Sequence, residues 1–188
     1  VDAAAGATIT VIADIVTDGP VTVDEQVEIN LGGKTISATN DESGDGVFHV
    51  VGGGNLTISG NGTVNAFGPN DYCMAVWADG GMVTINGGTF INEGAYSEED
   101  GAHFDLIYVK NGGSVVINDG TFKCQTPRWT LNIKNGAGQG TITVNGGKFY
   151  QCNPADVNTD DGVTTWCAEG ILGRLGEDGY YTVEQGMK

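Results

Sequence analysis

Apolar and polar residues alternate along this chain in short bursts, and the bursts recur. Val83-Thr84-Ile85-Asn86-Gly87-Gly88-Thr89-Phe90 returns as Val115-Val116-Ile117-Asn118-Asp119-Gly120-Thr121-Phe122 and as Ile142-Thr143-Val144-Asn145-Gly146-Gly147-Lys148-Phe149. Looser copies precede it: Val27-Glu28-Ile29-Asn30-Leu31-Gly32-Gly33-Lys34-Thr35-Ile36 and Leu56-Thr57-Ile58-Ser59-Gly60-Asn61-Gly62-Thr63-Val64. The second apolar residue of each copy falls at 29, 58, 85, 117 and 144, giving intervals of 29, 27, 32 and 27 residues. Self-similarity at this period marks one structural unit stacked on itself.

Within each copy the residues two apart are apolar and the one between is mostly polar, which predicts a strand with one buried and one wet face. The inward pairs are Val27/Ile29, Leu56/Ile58, Val83/Ile85, Val115/Ile117 and Ile142/Val144; Glu28, Thr57, Thr84, Val116 and Thr143 face outward. Asn30, Ser59, Asn86, Asn118 or Asn145 follows, where side chains can hydrogen-bond from coil to coil and satisfy polar groups otherwise stranded inside. Glycines then turn the chain. Ile36, Val64, Phe90, Phe122 or Phe149 opens a second sheet, with an aromatic stack expected among the phenylalanines.

A third strand precedes the glycines. Aligning on the glycine pairs brings residues 47–50, 74–77, 106–109 and 130–133 into one column, with Phe48, Val50, Ala75, Trp77, Ile107, Val109, Leu131 and Ile133 inward. The outward face then shows Val47, His49, Met74, Val76, Leu106 and Tyr108. A sheet apolar on both faces is normally covered on both. Inserted loops of the chain, a symmetry-related subunit or a ligand could supply the cover. Residues 91 to 104 and 150 to 165 are long enough, but their acidic composition suits an apolar face poorly. Residues 1–26 are expected to form the first coil and N-terminal cap, 27–150 the repeating coils, and 151–188 a C-terminal coil and cap.

Composition sharpens this picture. The 32 glycines without a collagen period, and the near absence of helix-forming runs, predict an all-β single domain. With 24 acidic and 8 basic residues the formal charge is -16, which disfavours nucleic acid and anionic membrane surfaces as partners. No apolar run reaches the ~18 residues of a membrane span, so no membrane insertion is expected. Four cysteines, at 73, 124, 152 and 167, lack a C-x-x-C pair, so a structural zinc site is not expected. Free thiols are the default reading. Coils ~4.8 Å apart lie within disulfide reach, and Cys124 and Cys152, two and three residues after equivalent phenylalanines, are the candidate pair.

The coil of 27 to 32 residues, the asparagine row and the phrase from Ile29 to Ile36 resemble right-handed parallel β-helix proteins of the pectate-lyase-like type, over about residues 20 to 150. The resemblance implies a right-handed solenoid of about five or six coils. It is poorly specific for activity, because this fold serves polysaccharide lyases, glycoside hydrolases, adhesins and phage appendages alike. Short, glycine-rich, acidic versions most resemble phage head fibres, decoration proteins and bacterial surface modules. The expectation is therefore a non-catalytic structural or adhesive module on a virion surface or in an extracellular, cell-surface setting. Partners would be a capsid or other surface protein, a glycan, and two further copies in a homotrimer with the 47–74–106 face near its axis. Bacterial adhesin is the alternative, and polysaccharide lyase or hydrolase the distant one.

A lyase of that type would need clustered carboxylates for calcium and a basic residue beside them. The chain's only arginines are Arg128 and Arg174; Arg128 lies at the edge of the third-strand column, with Asp105 the nearest aligned carboxylate. No nucleophile elbow, phosphate loop or H-E-x-x-H is present. No cofactor is expected beyond Ca²⁺, for which Asp41, Glu42, Asp45, Asp156, Asp160 and Asp161 are candidates against the plainer reading of solvated loop charge. Tyr72, Tyr96, Trp129 and Tyr150 are the candidate glycan-stacking aromatics.

Overall fold

The computed structural model describes residues 4–38, 46–66, 74–92 and 105–186. Parallel strands stack into a β-solenoid of about four turns, fewer than the five or six expected, because after Tyr150 the chain leaves the stack as a loop and hairpin. One 3₁₀ turn, Pro127–Trp129, is the only helical element among the described residues. None of the described helices is long and apolar enough to cross a membrane.

The first side of the solenoid is built by β1 (Ala7–Thr10), β4 (Gln26–Asn30), β7 (Asn55–Ser59), β10 (Met82–Asn92), β12 (Gly113–Cys124) and β14 (Gly140–Val144), each parallel to the next. The register sets Ile29, Ile58, Ile85, Ile117 and Val144 in one column, and Val27, Leu56, Val83, Val115 and Ile142 in the next. All ten are buried, as strict alternation requires when one face meets the core. Both β10 and β12 run through the turn onto the second side, where they join β2 (Ile15–Thr17), β5 (Lys34–Ala38), β8 (Gly62–Asn65) and β15 (Gly147–Tyr150).

At that turn the expected phenylalanine stack forms. Phe90 and Phe122 lie 5.1 Å apart and Phe122 and Phe149 4.7 Å apart between ring centroids, stacked with nearly parallel planes at 9° and 8°, and all three are fully buried. Two residues ahead of each ring stands a glycine with positive φ: Gly88, Gly120 and Gly147. A Cβ on Gly120 would meet the Phe122 ring at 3.1 Å, so this glycine supplies both the turn and the room for the ring. The asparagine row also forms, but outside the turn rather than within it. Asn118 Nδ2 donates to Asn86 Oδ1 and Asn145 Nδ2 to Asn118 Oδ1, each at 2.8 Å, and these side chains are exposed. In the earlier coils the row is replaced by Ser59 donating to Glu28.

The third side consists of β3 (Val21–Val23), β6 (Gly46–Val51), β9 (Met74–Asp79), β11 (Ile107–Lys110) and β13 (Leu131–Ile133), with β3 and β13 at its edges. Its register corrects the sequence expectation. Phe48, Val76, Ile107 and Leu131 share the inward column, and His49, Trp77, Tyr108 and Asn132 share the outward one. Trp77 therefore faces out, and Val76 in. The cause is turn length: Val51 to Asn55 and Lys110 to Ser114 are four steps each, but Asp79 to Met82, which occupies the equivalent span, is three. A one-residue change in the turn exchanges the two faces of the strand before it.

The expected outward apolar patch is consequently not exposed. Val47, Met74, Val76 and Leu106 are each at most 2 % accessible, and His49 and Tyr108 are half-buried. Val76 shares the inward column with Phe48 and Ile107, Val47 and Leu106 belong with it to the buried core cluster, and Met74 is buried beside them in the sequence of the strand. These six residues do not form an open face for a trimer axis.

Past β15 the chain returns as β16 (Ile171–Leu175) and β17 (Tyr180–Gln185), and β17 lies antiparallel on β15 with Tyr181 opposite Phe149. The hairpin thus covers the end of the aromatic column. Replacing Phe122, the middle ring, removes both stacking partners at once. Phe122→Ala is expected to destabilise the fold by about 3 to 5 kcal/mol in urea unfolding, whereas Thr84→Ala on the wet face should stay within about 0.5 kcal/mol.

Candidate functional site

On the outer face of the third side the register gathers a cluster that the sequence alignment hid. His49 stacks on Trp77 with ring centroids 3.9 Å apart and 6° between planes, while Lys110 Nζ sits 4.2 Å from the Trp77 centroid. One coil separates His49 from Trp77 and the next separates Trp77 from Lys110, so the ring is held between an imidazole and an ammonium. The next outward row supplies Asp79. His49 Nε2 lies 3.0 Å from Asp79 Oδ2, Lys110 Nζ 3.6 Å from the same oxygen, and Asn111 Nδ2 donates to Asp79 Oδ1 at 2.6 Å. Burial would raise the Asp79 carboxyl. The hydrogen bonds from His49 and Asn111 and the charge of Lys110 outweigh it and hold the group below its ordinary 3.8. His49, Asp79, Lys110 and Asn111 satisfy one another across three coils, which suits them to fixing the coils in register, while the buried Trp77 Nε1 has no hydrogen-bond partner.

A second assembly lies at the C-terminal end. Pro127 opens a single 3₁₀ turn, Thr130 donates both its N–H and its Oγ1 back to the Pro127 carbonyl, and Trp129 N–H bonds Thr126. This turn brings the Arg128 guanidinium over the Trp129 ring at 4.6 Å, and β13 follows directly. The opposite wall is the segment 151–166. It is shaped by Val157 N–H on Thr164 and by Val163 N–H on Thr159 Oγ1, and is tied to β14 where Val144 N–H bonds the Trp166 carbonyl at 2.8 Å. Between the walls is a cleft of about 610 Å³. Leu131, Ile133, Val157, Val163 and Trp166 give it an apolar lining, and Asn132, Asn135, Gln139, Asn153 and Asn158 bring polar groups into it.

The sequence candidates divide sharply on this geometry. Trp129, Asp156, Asp160 and Asp161 all line the cleft. Tyr150 does not; it packs against Tyr180 at 5.2 Å and lies under Lys123 Nζ at 5.4 Å, on the closing hairpin side. Tyr72, Tyr96, Asp41, Glu42 and Asp45 lie outside the described residues. Asp160 Oδ2 accepts from Asn135 Nδ2 at 3.5 Å and Asp161 Oδ2 from the Gly136 N–H at 3.1 Å, so two of the three acids bridge the walls of the cleft. Among the described residues no group of three or more His, Cys, Asp or Glu side chains is gathered so as to hold a metal ion. Sequence reasoning named three acids and one tryptophan of the cleft without placing them together, because segment 151–166 has no repeat pattern to reveal what it folds against.

The Cys124–Cys152 disulfide is not made; both are free thiols, as is Cys167. Phe122 pairs with Phe149, so Cys124 stands level with Gln151 and not with Cys152. Gln151 has a left-handed backbone, φ 49°, which ends the strand and turns Cys152 inward out of register with Cys124. Burial pushes the Cys124 thiol up to about 12 and Cys152 to about 11, against the opposing hydrogen bonds of Thr126 and Thr130.

Compared with known proteins, the chain matches no family model, no curated protein and no solved structure. The cleft and the outward cluster therefore stand on their own geometry.

Two measurements check these placements. Iodoacetamide at about pH 8, where thiols this far above their ordinary range stay protonated, is expected to label Cys124 and Cys152 only after unfolding, as mapped by peptide mass spectrometry. Because the folded Asp79 carboxyl lies below 3.8, its stabilisation is full above that value and is lost as pH falls through the lower folded one. Asp79→Asn should flatten this acid limb when urea midpoints are plotted against pH.

Proposed function

We propose that this protein is a non-catalytic structural and adhesive module of a virion or cell surface, in which a stiff solenoid presents its C-terminal cleft to a carbohydrate. The observation that carries the reading is the convergence in one cleft of Trp129, the apolar floor from Leu131 to Trp166, and a surrounding set of amide side chains. A sugar has apolar C–H faces and a rim of hydroxyls, so it is recognised by an aromatic ring and by side chains that both donate and accept. The volume of about 610 Å³ fits one or a few sugar rings. A cationic ligand would be drawn by the acids alone, but Asp160 and Asp161 already accept hydrogen bonds from the facing wall. That engagement also favours holding over bond cleavage, which asks for two carboxyl groups aimed at one glycosidic bond.

The solenoid suits a surface role mechanically. Its backbone hydrogen bonds run along the axis and each coil buries the core of its neighbours, so few segments of the stack can open alone. The short, glycine-rich, acidic character of the chain, in which it resembles phage head fibres and decoration proteins, supports the virion setting, with a bacterial surface as the alternative.

Titration calorimetry against a panel of soluble neutral and acidic polysaccharides is expected to give at least one ligand, with no release of reducing ends or unsaturated products. Trp129→Ala should weaken that ligand about tenfold or more, about 1.4 kcal/mol. Silence across the panel, unchanged affinity in Trp129→Ala, or turnover of a bound polysaccharide would each sink the reading.

A further inference from the structure

Within the carbohydrate reading above, on which this rests, we propose that the cleft selects neutral sugars bearing an acetamido group and takes that group up in the place of a missing rung of the third side. In each earlier coil the chain passes from the second side to the third, as β5 to β6 and β8 to β9, and the new strand pairs with the third-side strand before it. By the same order β15 would lead to a strand beside β13. Segment 151–166 instead bonds to itself, Val157 N–H to the Thr164 carbonyl at 2.9 Å and Thr159 N–H to the Val163 carbonyl at 3.2 Å. It reaches the chain after β13 through Asp160 and Asp161, which accept from Asn135 and Gly136. β13 is left as the last strand of its sheet, and the cleft lies where its next partner would be.

The main chain of β13 is therefore open on one side. The Thr130 carbonyl accepts from Ile107 N–H at 3.1 Å and Lys134 N–H donates to the Val109 carbonyl at 2.9 Å, so by the alternation of a parallel ladder the residues of that parity face β11. Leu131 and Ile133 turn their N–H and C=O the other way, into the cleft that both residues line. Among the described residues no hydrogen bond reaches those four groups. Leu131 is only 4% exposed, and main-chain polar groups in such a place are ordinarily paired.

An acetamido group meets what this gap offers. Its amide is planar and trans, so C=O and N–H point to opposite sides as they do in the peptide of a strand. The carbonyl accepts from the N–H of Leu131 or Ile133, and the N–H turns to the facing wall, where Asn158 carries an amide oxygen. The methyl has an apolar seat among Ile133, Val157 and Val163, all partly buried against the core. A hydroxyl at the same place sets a polar group against those side chains. Charge makes the sugar a neutral one. Of the charged residues that line the cleft, Asp156, Asp160 and Asp161 are acids and Arg128 is the one base, and the chain carries -16, so uronic acids and other carboxylate-bearing sugars are repelled. A polypeptide strand is the other occupant that such an edge admits. β13 is three residues long and opens two of them, which is short for strand addition, whereas one acetamido group needs a single N–H.

Titration calorimetry on the full chain with two matched trisaccharides is the test. Triacetylchitotriose and cellotriose share ring and linkage and differ only in an acetamido group in place of one hydroxyl per ring. The acetylated sugar is expected to bind about tenfold tighter or more, because its partner leaves the strand edge unpaired. Amide exchange followed by NMR is expected to slow at Leu131, Ile133 or both in the complex with triacetylchitotriose. Acetyl-tetraalanine amide, which offers the same amides without sugar rings, is expected not to compete. Equal affinity for the two trisaccharides, unchanged exchange at both residues in the complex, or tighter binding of the peptide would each overturn the proposal. Should cellotriose or another polysaccharide bind through Trp129 with no gain from the acetamido group, the carbohydrate reading stands and this proposal falls; silence to every saccharide removes both.

Discussion

Each coil of this protein lies one strand spacing above the last, and everything else depends on that axial register. Backbone hydrogen bonds set the spacing, and side chains at equivalent positions must then fit it. The Phe90–Phe122–Phe149 column does so with near-parallel rings, and the Asn86–Asn118–Asn145 row does so with amides. Each is possible only because the other is present, since a slip of one residue would send the phenylalanines to solvent and bury the polar row. The glycines are the permissive element. Gly120, with its positive φ, lets the chain turn where a side chain would strike the very ring that the turn positions.

Departures from the repeat are where this molecule becomes individual. The turn between Asp79 and Met82 is one residue shorter than its equivalents, and that difference alone turns Trp77 outward. Once outward, the indole meets His49 from the preceding coil and Lys110 from the following one, and Asp79 completes a polar cluster that spans three coils. The left-handed Gln151 ends the last regular strand and releases segment 151–166, which returns over β13 to make the cleft. In both places a single backbone step creates a group of side chains that the repeat would never assemble.

The two ends of the solenoid are chemically unlike. At the C-terminal end a hairpin covers the aromatic column, and the third side keeps a strand edge at β13 within a polar and aromatic cleft. At the N-terminal end nothing among the described residues covers the first coil, and the inward columns emerge at Ile9, Ile15 and Val21. A rod whose two ends differ in this way has a direction.

Sequence alone determined the repeat and, through it, the fold. The alternation at Val83-Thr84-Ile85 and its copies dictated parallel strands with one buried face, and the spacing of Phe90, Phe122 and Phe149 dictated the aromatic column, because both are local patterns that survive any uncertainty in the turns. Which way the third strands face was not legible. Met74-Ala75-Val76-Trp77 is apolar throughout, so no polar residue marks its wet side, and only the tertiary register decided that Val76 enters the core and Trp77 leaves it. The cleft was equally hidden. Trp129 and the acids of 156–161 were visible as residue types, but their meeting depends on a long return of chain after Gln151 that no period predicts. Periodic sequence fixes periodic structure; contacts made by the segments that break the period are settled only when the chain folds back on itself.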